Sequence, residues 1–441
     1  MEARETPHVE SPKPPRKMLV WLFVFLYLPF VWAHGFEAWS QSAYDFPPLY
    51  CATKAVFDQH QSPYGVNAFA QQSKALGRWI PPFLYPPPSL LVLYPLHLFS
   101  YDGAKACLLA INHLCLLAAI LLITRRLFRE EFARAPTQLW AALALVYLLS
   151  FDPTVVTLHL GQVNLLLLVC ICFLWDALKR DRGALAIALP LSVAIVIKTY
   201  PILLLPLLVF RRRYKAVALT LAFFALYCAA AYALLPASVW SDWVSKVMPE
   251  SSQVHPGPWN QNIRAFVGRA FLPNPFSDPL WALPQIVKPL IMLGSGAVFA
   301  ATMLVSFFGW WRSDARRPIE AELSLYLLMI FLIAPVSWEH HFVYLLPSLI
   351  LVLLLLLRGE TSGHWRWILP VSLCLVGWRF PIAWPALTKG WWVLLISAKF
   401  YPAVALWVFF FFRTRMDANR SRFPAGASVA VADVALSGAA T

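Results

Sequence analysis

Long apolar blocks separated by short polar turns make up most of this chain. Many blocks approach the roughly 20 residues with which a helix crosses a bilayer. Apolar and polar residues do not alternate with a period of two, so the pattern predicts membrane-spanning helices and not the strands of a barrel. About twelve segments are predicted to span, and they cover residues 18–34, 103–123, 137–151, 161–178, 183–198, 199–210, 215–235, 285–311, 320–335, 341–357, 365–380 and 391–412.

The first polar region after a span contains three further apolar patches. Patches 49–59 and 66–76 predict short helices lying at the membrane interface. Segment 89–100 is too short for a span, and we expect an interfacial or re-entrant piece. If it does cross the membrane, the orientation of every later segment is reversed unless another one, such as the very short 199–210, fails to cross.

Composition supports a membrane protein and excludes several other classes. The 441 residues are 60% hydrophobic and 13% charged, with a mean hydropathy of +0.62, whereas a soluble domain carries about 25% charged residues. The net charge is +14, but Lys and Arg stand in clusters between apolar blocks, as the positive-inside bias produces, so nucleic-acid binding is not expected. Six of the seven cysteines lie in apolar blocks and no CxxC pair exists, which argues against disulfides and zinc.

The basic clusters also set the predicted organisation of the chain, because they mark cytoplasmic turns. Residues 1–17 are predicted to be a cytoplasmic tail and residues 413–441 a disordered cytoplasmic tail. Between them, residues 18–412 form one all-α polytopic transmembrane domain. Two long loops, at about 35–102 and 236–284, are predicted to be external.

With this topology the unusual polar residues share the external face. Polar groups at span ends inside a bundle are functional candidates, although each could instead satisfy a helix end or meet lipid headgroups. They are Asp45, Asp152, His159, Gln162, Asn164, Lys198, Asn260, Gln261, Asn262, Arg264, Glu339, His340, His341 and Arg379.

Three of these residues suggest contacts with a phosphorylated sugar. Lys198 ends an apolar run and could pair with a phosphate as a point charge, or it could snorkel to the interface. Gln162 and Asn164 each offer a donor and an acceptor, as recognition of sugar hydroxyls requires, or they could cap a helix.

No metal or nucleotide cofactor is expected. Adjacent residues on a helix point about 100° apart, so His340 and His341 do not form the i, i+4 chelating pair of a zinc site. The chain contains no HExxH, no Asp-x-Asp, no P-loop and no GxGxxG. A histidine here could instead bond a donor phosphate or an acceptor hydroxyl.

Asp45 follows the first span and could act as a general base. The rigid Phe-Pro-Pro segment after it stiffens the local chain, and a carboxylate at the bilayer surface could take the proton from an acceptor hydroxyl. From position alone Glu37, Asp58 and Glu339 remain rivals.

Seven motifs together resemble the GT-C glycosyltransferase family 87, which contains polyprenol-phosphate-mannose-dependent α-mannosyltransferases of bacteria. The similarity spans about residues 18 to 412. The motifs are Tyr44-Asp45-Phe46, Ser62-Pro63-Tyr64, Tyr85-Pro86-Pro87, Gly161-Gln162-Val163-Asn164, Ile197-Lys198-Thr199-Tyr200-Pro201, Asn260-Gln261-Asn262 and Pro335-Val336-Ser337-Trp338-Glu339-His340-His341.

The resemblance implies a GT-C bundle with its active site on the outer face, between the first external loop and the spans. It implies a polyprenyl-phosphate sugar donor, inversion at the anomeric carbon and no metal. Asp45 matches the family's catalytic aspartate, and the pair His340–His341 matches a later histidine, with a slight preference for His341. The segment 37–43 has no counterpart, and the Asn-Gln-Asn motif departs from a commoner serine, which leaves the acceptor open.

These features predict an enzyme of the plasma membrane with an external active site. It would transfer a hexose, mannose by resemblance, from polyprenyl phosphate to a lipid or glycan acceptor, with Tyr85, Gln162, Asn164, Lys198, Asn260, Gln261, Arg264, Glu339, His340 and His341 as substrate-binding residues. Two alternatives stay open. One is a transporter or flippase of lipid-linked sugars, although no repeat between halves is visible. The other is a membrane scaffold without catalysis.

Overall fold

The computed structural model describes residues 25–35, 44–65, 67–133, 137–312, 317–381 and 384–420. Within these ranges the chain is helical, and its only β-pairings are two isolated bridges. The predicted all-helical class is therefore confirmed for the described part of the chain.

Helices of very different lengths follow one another along the chain. The α-helices are Phe46–Phe57, Ala70–Ala75, Ser89–Leu93, Tyr101–Leu122, Arg129–Ala133, Thr137–Ser150, Asp152–Leu160, Asn164–Lys179, Ala184–Ile197, Leu205–Phe210, Tyr214–Leu234, Ala237–Asp242, Met248–Ser252, Ile263–Phe271, Pro284–Arg312, Glu320–Ile333, Leu346–Leu357, Trp365–Gly377 and Phe400–Arg420. The 3₁₀ segments are Tyr94–Leu98, Tyr200–Leu204, Glu339–Leu345, Pro385–Thr388 and Gly390–Ser397, and the π segments are Val31–Gly35, Ile123–Leu127 and Trp243–Val247.

Five helices among the described residues are long and apolar enough to cross a membrane. A sixth is added if the bent pair Gly390–Ser397 and Phe400–Asn419, which meet at 52°, forms one span. The count of about twelve spans stays a prediction. The five are Tyr101–Leu127, Leu143–Leu160, Tyr214–Leu234, Pro284–Trp311 and Glu339–Leu357.

Two segments that lie wholly or partly between predicted spans are helical. Asp152–Leu160 is an α-helix, because Pro153 suits its first turn and Gly161, at φ 69°, ends it in the left-handed conformation. Glu339–Leu345 is a 3₁₀ helix that continues into the next span. The last helix reaches Arg420, so the tail predicted from residue 413 is helical over its first eight residues.

The main apolar core surrounds helix Glu320–Ile333, in which every residue from 321 to 332 is buried. A helix that is buried on all sides belongs at the centre of a bundle, and this one is apolar apart from Glu320, Glu322 and Ser324. It packs against the helices Leu346–Leu357 and Phe400–Arg420.

A second apolar cluster lies under the first loop and fixes the position of the candidate site. Phe46 and Leu49 of helix Phe46–Phe57 are almost wholly buried there, together with Val163 and Ile197 of the bundle. Helices at patches 49–59 and 66–76 are confirmed as Phe46–Phe57 and Ala70–Ala75, while their place at an interface stays a prediction. Ser89–Leu98 has only ten residues, about half the length of a span.

Candidate active site

Asp45 immediately precedes helix Phe46–Phe57 and holds the N-cap position. An N-cap carboxylate normally accepts from the backbone N–H of the second or third helical residue. Here those residues are Pro47 and Pro48, which have no N–H, and the side chain makes no capping bond. The local sequence therefore leaves this carboxylate available for other partners.

Gln162 is the partner that orients this carboxylate. Its Nε2 donates to Asp45 Oδ2 at 2.8 Å, while its Oε1 accepts from the Tyr85 hydroxyl at 2.6 Å. Its backbone carbonyl accepts from Asn112 Nδ2 at 2.9 Å, and the backbone N–H of Asp45 donates to Leu160 O at 3.0 Å. Both ends of the glutamine amide are thus fixed.

Lys198 is the second charged residue near Tyr85. It directly follows helix Ala184–Ile197, and its ammonium is 5.6 Å from the centre of the Tyr85 ring. It donates to Asn164 Oδ1 at 2.7 Å and contacts His341 Nε2 at 3.0 Å. Six predicted site residues from five separate stretches of sequence therefore form one connected network.

Electrostatics favour a basic carboxylate in this network. Burial raises the pKa of Asp45 above its ordinary 3.8, against the lowering effects of the Gln162 hydrogen bond and the positive charge of Lys198. A raised pKa makes the carboxylate a better proton acceptor. Burial also raises the pKa of the Tyr85 hydroxyl, which keeps it a neutral donor to Gln162.

Several buried polar atoms near Lys198 have no hydrogen-bond partner among the described residues. They are Asn164 Nδ2, Tyr200 OH, Tyr344 OH, His340 Nε2 and His341 Nδ1. Because an ammonium can only donate, Nε2 of His341 must accept, which leaves the proton on Nδ1. The rings of Tyr200 and Tyr344 each lie 6.3 Å from that imidazole.

Glu339 belongs to a separate ion cluster. The side chain of Lys399 is fully buried, and its ammonium lies 3.3 Å from Glu339 Oε2 and 3.2 Å from Asp152 Oδ2. Lys399 was not among the predicted site residues, because it lies within an apolar block that was interpreted as one continuous span. A lysine inside such a block was the signal that could have identified it.

The Asn-Gln-Asn motif holds backbone segments together. Asn260 donates to His255 O and accepts from Ser337 N, at 2.9 Å each. Gln261 Nε2 donates to Pro258 O at 2.6 Å and Ile396 O at 2.9 Å.

The neighbours of these two residues also bond to backbone groups. Asn262 caps helix Ile263–Phe271 and donates to Ala334 O at 2.7 Å. Arg264 donates to Ser252 O at 3.1 Å. The substrate-binding roles predicted for Asn260, Gln261 and Arg264 stay predictions.

No group of three or more His, Cys, Asp or Glu side chains in the described part of the chain is arranged to hold a metal ion. The fold and site together define a helical membrane protein with a half-buried carboxylate–ammonium network at its first long loop.

The sequence model of glycosyltransferase family 87 matches residues 83–335, more than half of the chain. The chain therefore belongs to glycosyltransferase family 87. The match includes Tyr85, Gln162 and Lys198, whereas Asp45 and His341 lie outside it.

Curated relatives with similar sequences are named as mannosyltransferases. A polyprenol-phosphate-mannose-dependent alpha-(1-2)-phosphatidylinositol pentamannoside mannosyltransferase of Mycolicibacterium smegmatis is 25% identical over 69% of this chain and 70% of the relative. The protein of the same name from Mycobacterium tuberculosis is 27% identical over 69% and 67%. A phosphatidylinositol mannoside mannosyltransferase of M. tuberculosis is 24% identical over 62% of each chain.

Proposed function

We propose that this enzyme transfers mannose from a polyprenyl phosphate to a hydroxyl group of a membrane-anchored glycolipid, on the external face of the plasma membrane. The reaction inverts the anomeric carbon and uses no metal. The observation that carries the proposal is the pairing of an uncapped, half-buried Asp45 with the ammonium of Lys198 across Gln162 and Tyr85. The names of the relatives support the donor and a lipid-linked acceptor.

Asp45 acts as the general base in this scheme. The acceptor oxygen forms a bond to the anomeric carbon, and its proton passes to the carboxylate. The bond between that carbon and the phosphate oxygen breaks, and polyprenyl phosphate leaves with the electron pair. Gln162 keeps the carboxylate oriented through this single displacement.

The leaving phosphate requires positive charge and hydrogen-bond donors, which the surroundings of Lys198 offer. Buried polar atoms in proteins are nearly always hydrogen-bonded, so unpartnered donors beside an ammonium suit an anionic ligand. Asn164 Nδ2, Nδ1 of His341 and the hydroxyls of Tyr200 and Tyr344 are such donors. A lysine supplies a point charge for a phosphate.

A transfer assay tests the proposal. Purified protein in nanodiscs would receive radiolabelled polyprenyl-phosphate mannose, a lipid extract of the host and EDTA. Wild type should form a labelled glycolipid, and Asp45→Asn should form it roughly 10² to 10⁴ times more slowly, the usual contribution of a general base. Asp58→Asn is the matched control, because Asp58 belongs to the same loop and pairs with Lys54 at the surface.

Each result has a definite meaning. Wild-type rates with Asp45→Asn would remove Asp45 from the reaction. A product whose anomeric configuration matches the donor would contradict inversion. If wild type uses glucosyl or arabinosyl lipids and not the mannosyl lipid, the proposed donor sugar is wrong.

A further inference from the structure

The ion cluster of Lys399, Asp152 and Glu339 joins three distant parts of the chain outside the proposed phosphate site. The lysine is fully buried, and the two carboxylates keep only about a tenth of their side-chain surface. Burying charge is costly, and buried ion pairs can often be replaced by apolar residues without loss of stability. A contribution to folding stability alone therefore explains poorly why these three charged side chains are buried together.

The first carboxylate begins a helix that leads to the catalytic carboxylate. Asp152 is the first residue of helix Asp152–Leu160. The carbonyl of Leu160, at the end of this helix, accepts from the backbone N–H of Asp45. Gln162, two residues further on, donates to the carboxylate of Asp45. A shift of this helix moves both contacts of the base.

The second carboxylate begins a helix that leads to the ammonium of Lys198. Glu339 is the first residue of the 3₁₀ helix Glu339–Leu345, and His341, two residues on, contacts Lys198 at 3.0 Å. The two helices also pack against each other. Thr157 Oγ1, which donates to Pro153 O at 2.7 Å, lies 3.4 Å from His340 O.

Lys399 extends from a backbone bend that is itself firmly held. It lies between Gly390–Ser397 and the last helix, which are inclined at 52°. Gln261 accepts from Phe400 N at 3.1 Å and donates to the carbonyl of Ile396. Arg269 donates to the Ser397 hydroxyl at 2.8 Å. These hydrogen bonds fix the backbone on both sides of Lys399 and so the position from which its ammonium extends.

We infer that Lys399 is a positioning residue of the sugar transfer, acting through the two helices that begin at Asp152 and Glu339. One helix carries the amide that orients the base, and the other carries the imidazole that contacts the phosphate-binding lysine. The inference rests on the proposed function, because the reaction it serves is the one proposed above.

Kinetics test the inference first. Lys399→Met should keep the donor KM within about threefold and lower kcat roughly ten- to hundredfold, because a displacement of about 1 Å can cost that much. Lys399→Arg should recover most of the rate, because a guanidinium can reach both carboxylates. If Lys399→Met does not fold, the neutral set Lys399→Met, Asp152→Asn and Glu339→Gln leaves no unpaired charge and should show the same loss of kcat.

A second readout needs no sugar transfer. The pH dependence of labelling of Asp45 by a hydrophobic carbodiimide, followed by peptide mass spectrometry, reports the titration of this carboxyl. Gln162→Leu should move the midpoint to higher pH, because it removes the hydrogen bond that lowers the pKa of Asp45. Lys399→Met should also move the labelling midpoint of Asp45 to higher pH. The double variant with Gln162→Leu should show no further shift.

Glu339→Gln separates positioning from a simple field effect. Loss of a negative charge would by itself lower the midpoint of Asp45, whereas release of the helices should raise it. A lower or unchanged midpoint in Glu339→Gln, or a wild-type kcat in Lys399→Met, would overturn the inference. Absence of product from wild type would count against the proposed function instead, and the labelling result would still decide about Lys399.

Discussion

Two charge clusters of this protein differ in whether their opposite charges are in direct contact. In the first, both oxygens of Glu322 are occupied, by Arg211 at 2.6 Å and by Arg317 at 2.8 Å. Nη1 and Nη2 of Arg211 also donate to the carbonyls of Arg317 and Pro318. This cluster joins the end of helix Leu205–Phe210 to the start of helix Glu320–Ile333. Both oxygens of its one carboxylate are occupied, and Nη1 of Arg317 is left without a partner among the described residues.

In the second cluster the charges are separated by neutral groups. Lys198 directly contacts Asn164, His341 and the ring of Tyr85, and within the described residues it makes no ion pair. Its attraction to Asp45 acts across Gln162 and Tyr85. Opposite charges in direct contact hold two helices together in the first cluster, whereas the half-buried Lys198 and Asp45, which do not touch, are available to a charged substrate.

The largest expected effect is on folding, at the cluster with direct ion pairs. Glu322→Gln leaves two buried guanidinium groups without a counter-charge, and breaking such a pair costs about 3–5 kcal/mol. Thermal or denaturant unfolding in detergent measures the loss, and kcat per folded molecule should not change. Glu360→Gln is the control, because that carboxylate is exposed and its ion pairs should contribute no more than about 1 kcal/mol. A loss of kcat in folded Glu322→Gln would contradict the comparison.

The next effect is on catalysis, at the cluster of Lys198 and Asp45. Lys198→Met should lower kcat/KM about 10²- to 10³-fold, the cost of removing one group that stabilises developing charge. The melting temperature should hold or rise, because a partly buried charge without a contacting counter-ion is removed. Lys74→Met, in an exposed helix of the first loop, is the control. If Lys198→Met failed to fold, the charge of Lys198 would stabilise the fold, and the comparison of the two clusters would be wrong.

Some of this contrast could be predicted from the sequence. Asp45, Gln162 and Lys198 were identified because polar residues are rare in so apolar a chain, and the structure brings them into one network. The two prolines after Asp45 also explain in sequence terms why its carboxylate is uncapped. The partners of Gln261 could not be predicted, because its amide bonds the carbonyl of a residue 135 positions away. Lys399 was missed because a bend between two apolar helices looks like one uninterrupted span.

The pH dependence of the transfer rate tests the role of Asp45 as the base in the second cluster. Only the ionised carboxylate of Asp45 accepts a proton, and burial raises its pKa above 3.8. The rate should therefore fall as the pH drops through this raised value, about tenfold per pH unit below it. Gln162→Leu should shift this acid limb to higher pH, because the hydrogen bond that favours the ionised form is lost. An unchanged limb in a pH profile of kcat/KM would contradict Asp45 as the base.

The smallest effect concerns the two hydroxyl groups without partners. Tyr200→Phe and Tyr344→Phe should each raise the donor KM about two- to tenfold, because one hydrogen bond contributes about 0.5–1.5 kcal/mol. Neither should lose stability, because neither hydroxyl has a partner among the described residues. Tyr147→Phe is the matched control, since its hydroxyl bonds Leu373 O at 3.2 Å. That variant should lose about 1 kcal/mol of stability and leave the donor KM unchanged. If the two variants behaved like this control, their hydroxyls would belong to the packing of the bundle, and the phosphate would depend on Lys198, Asn164 and His341 alone.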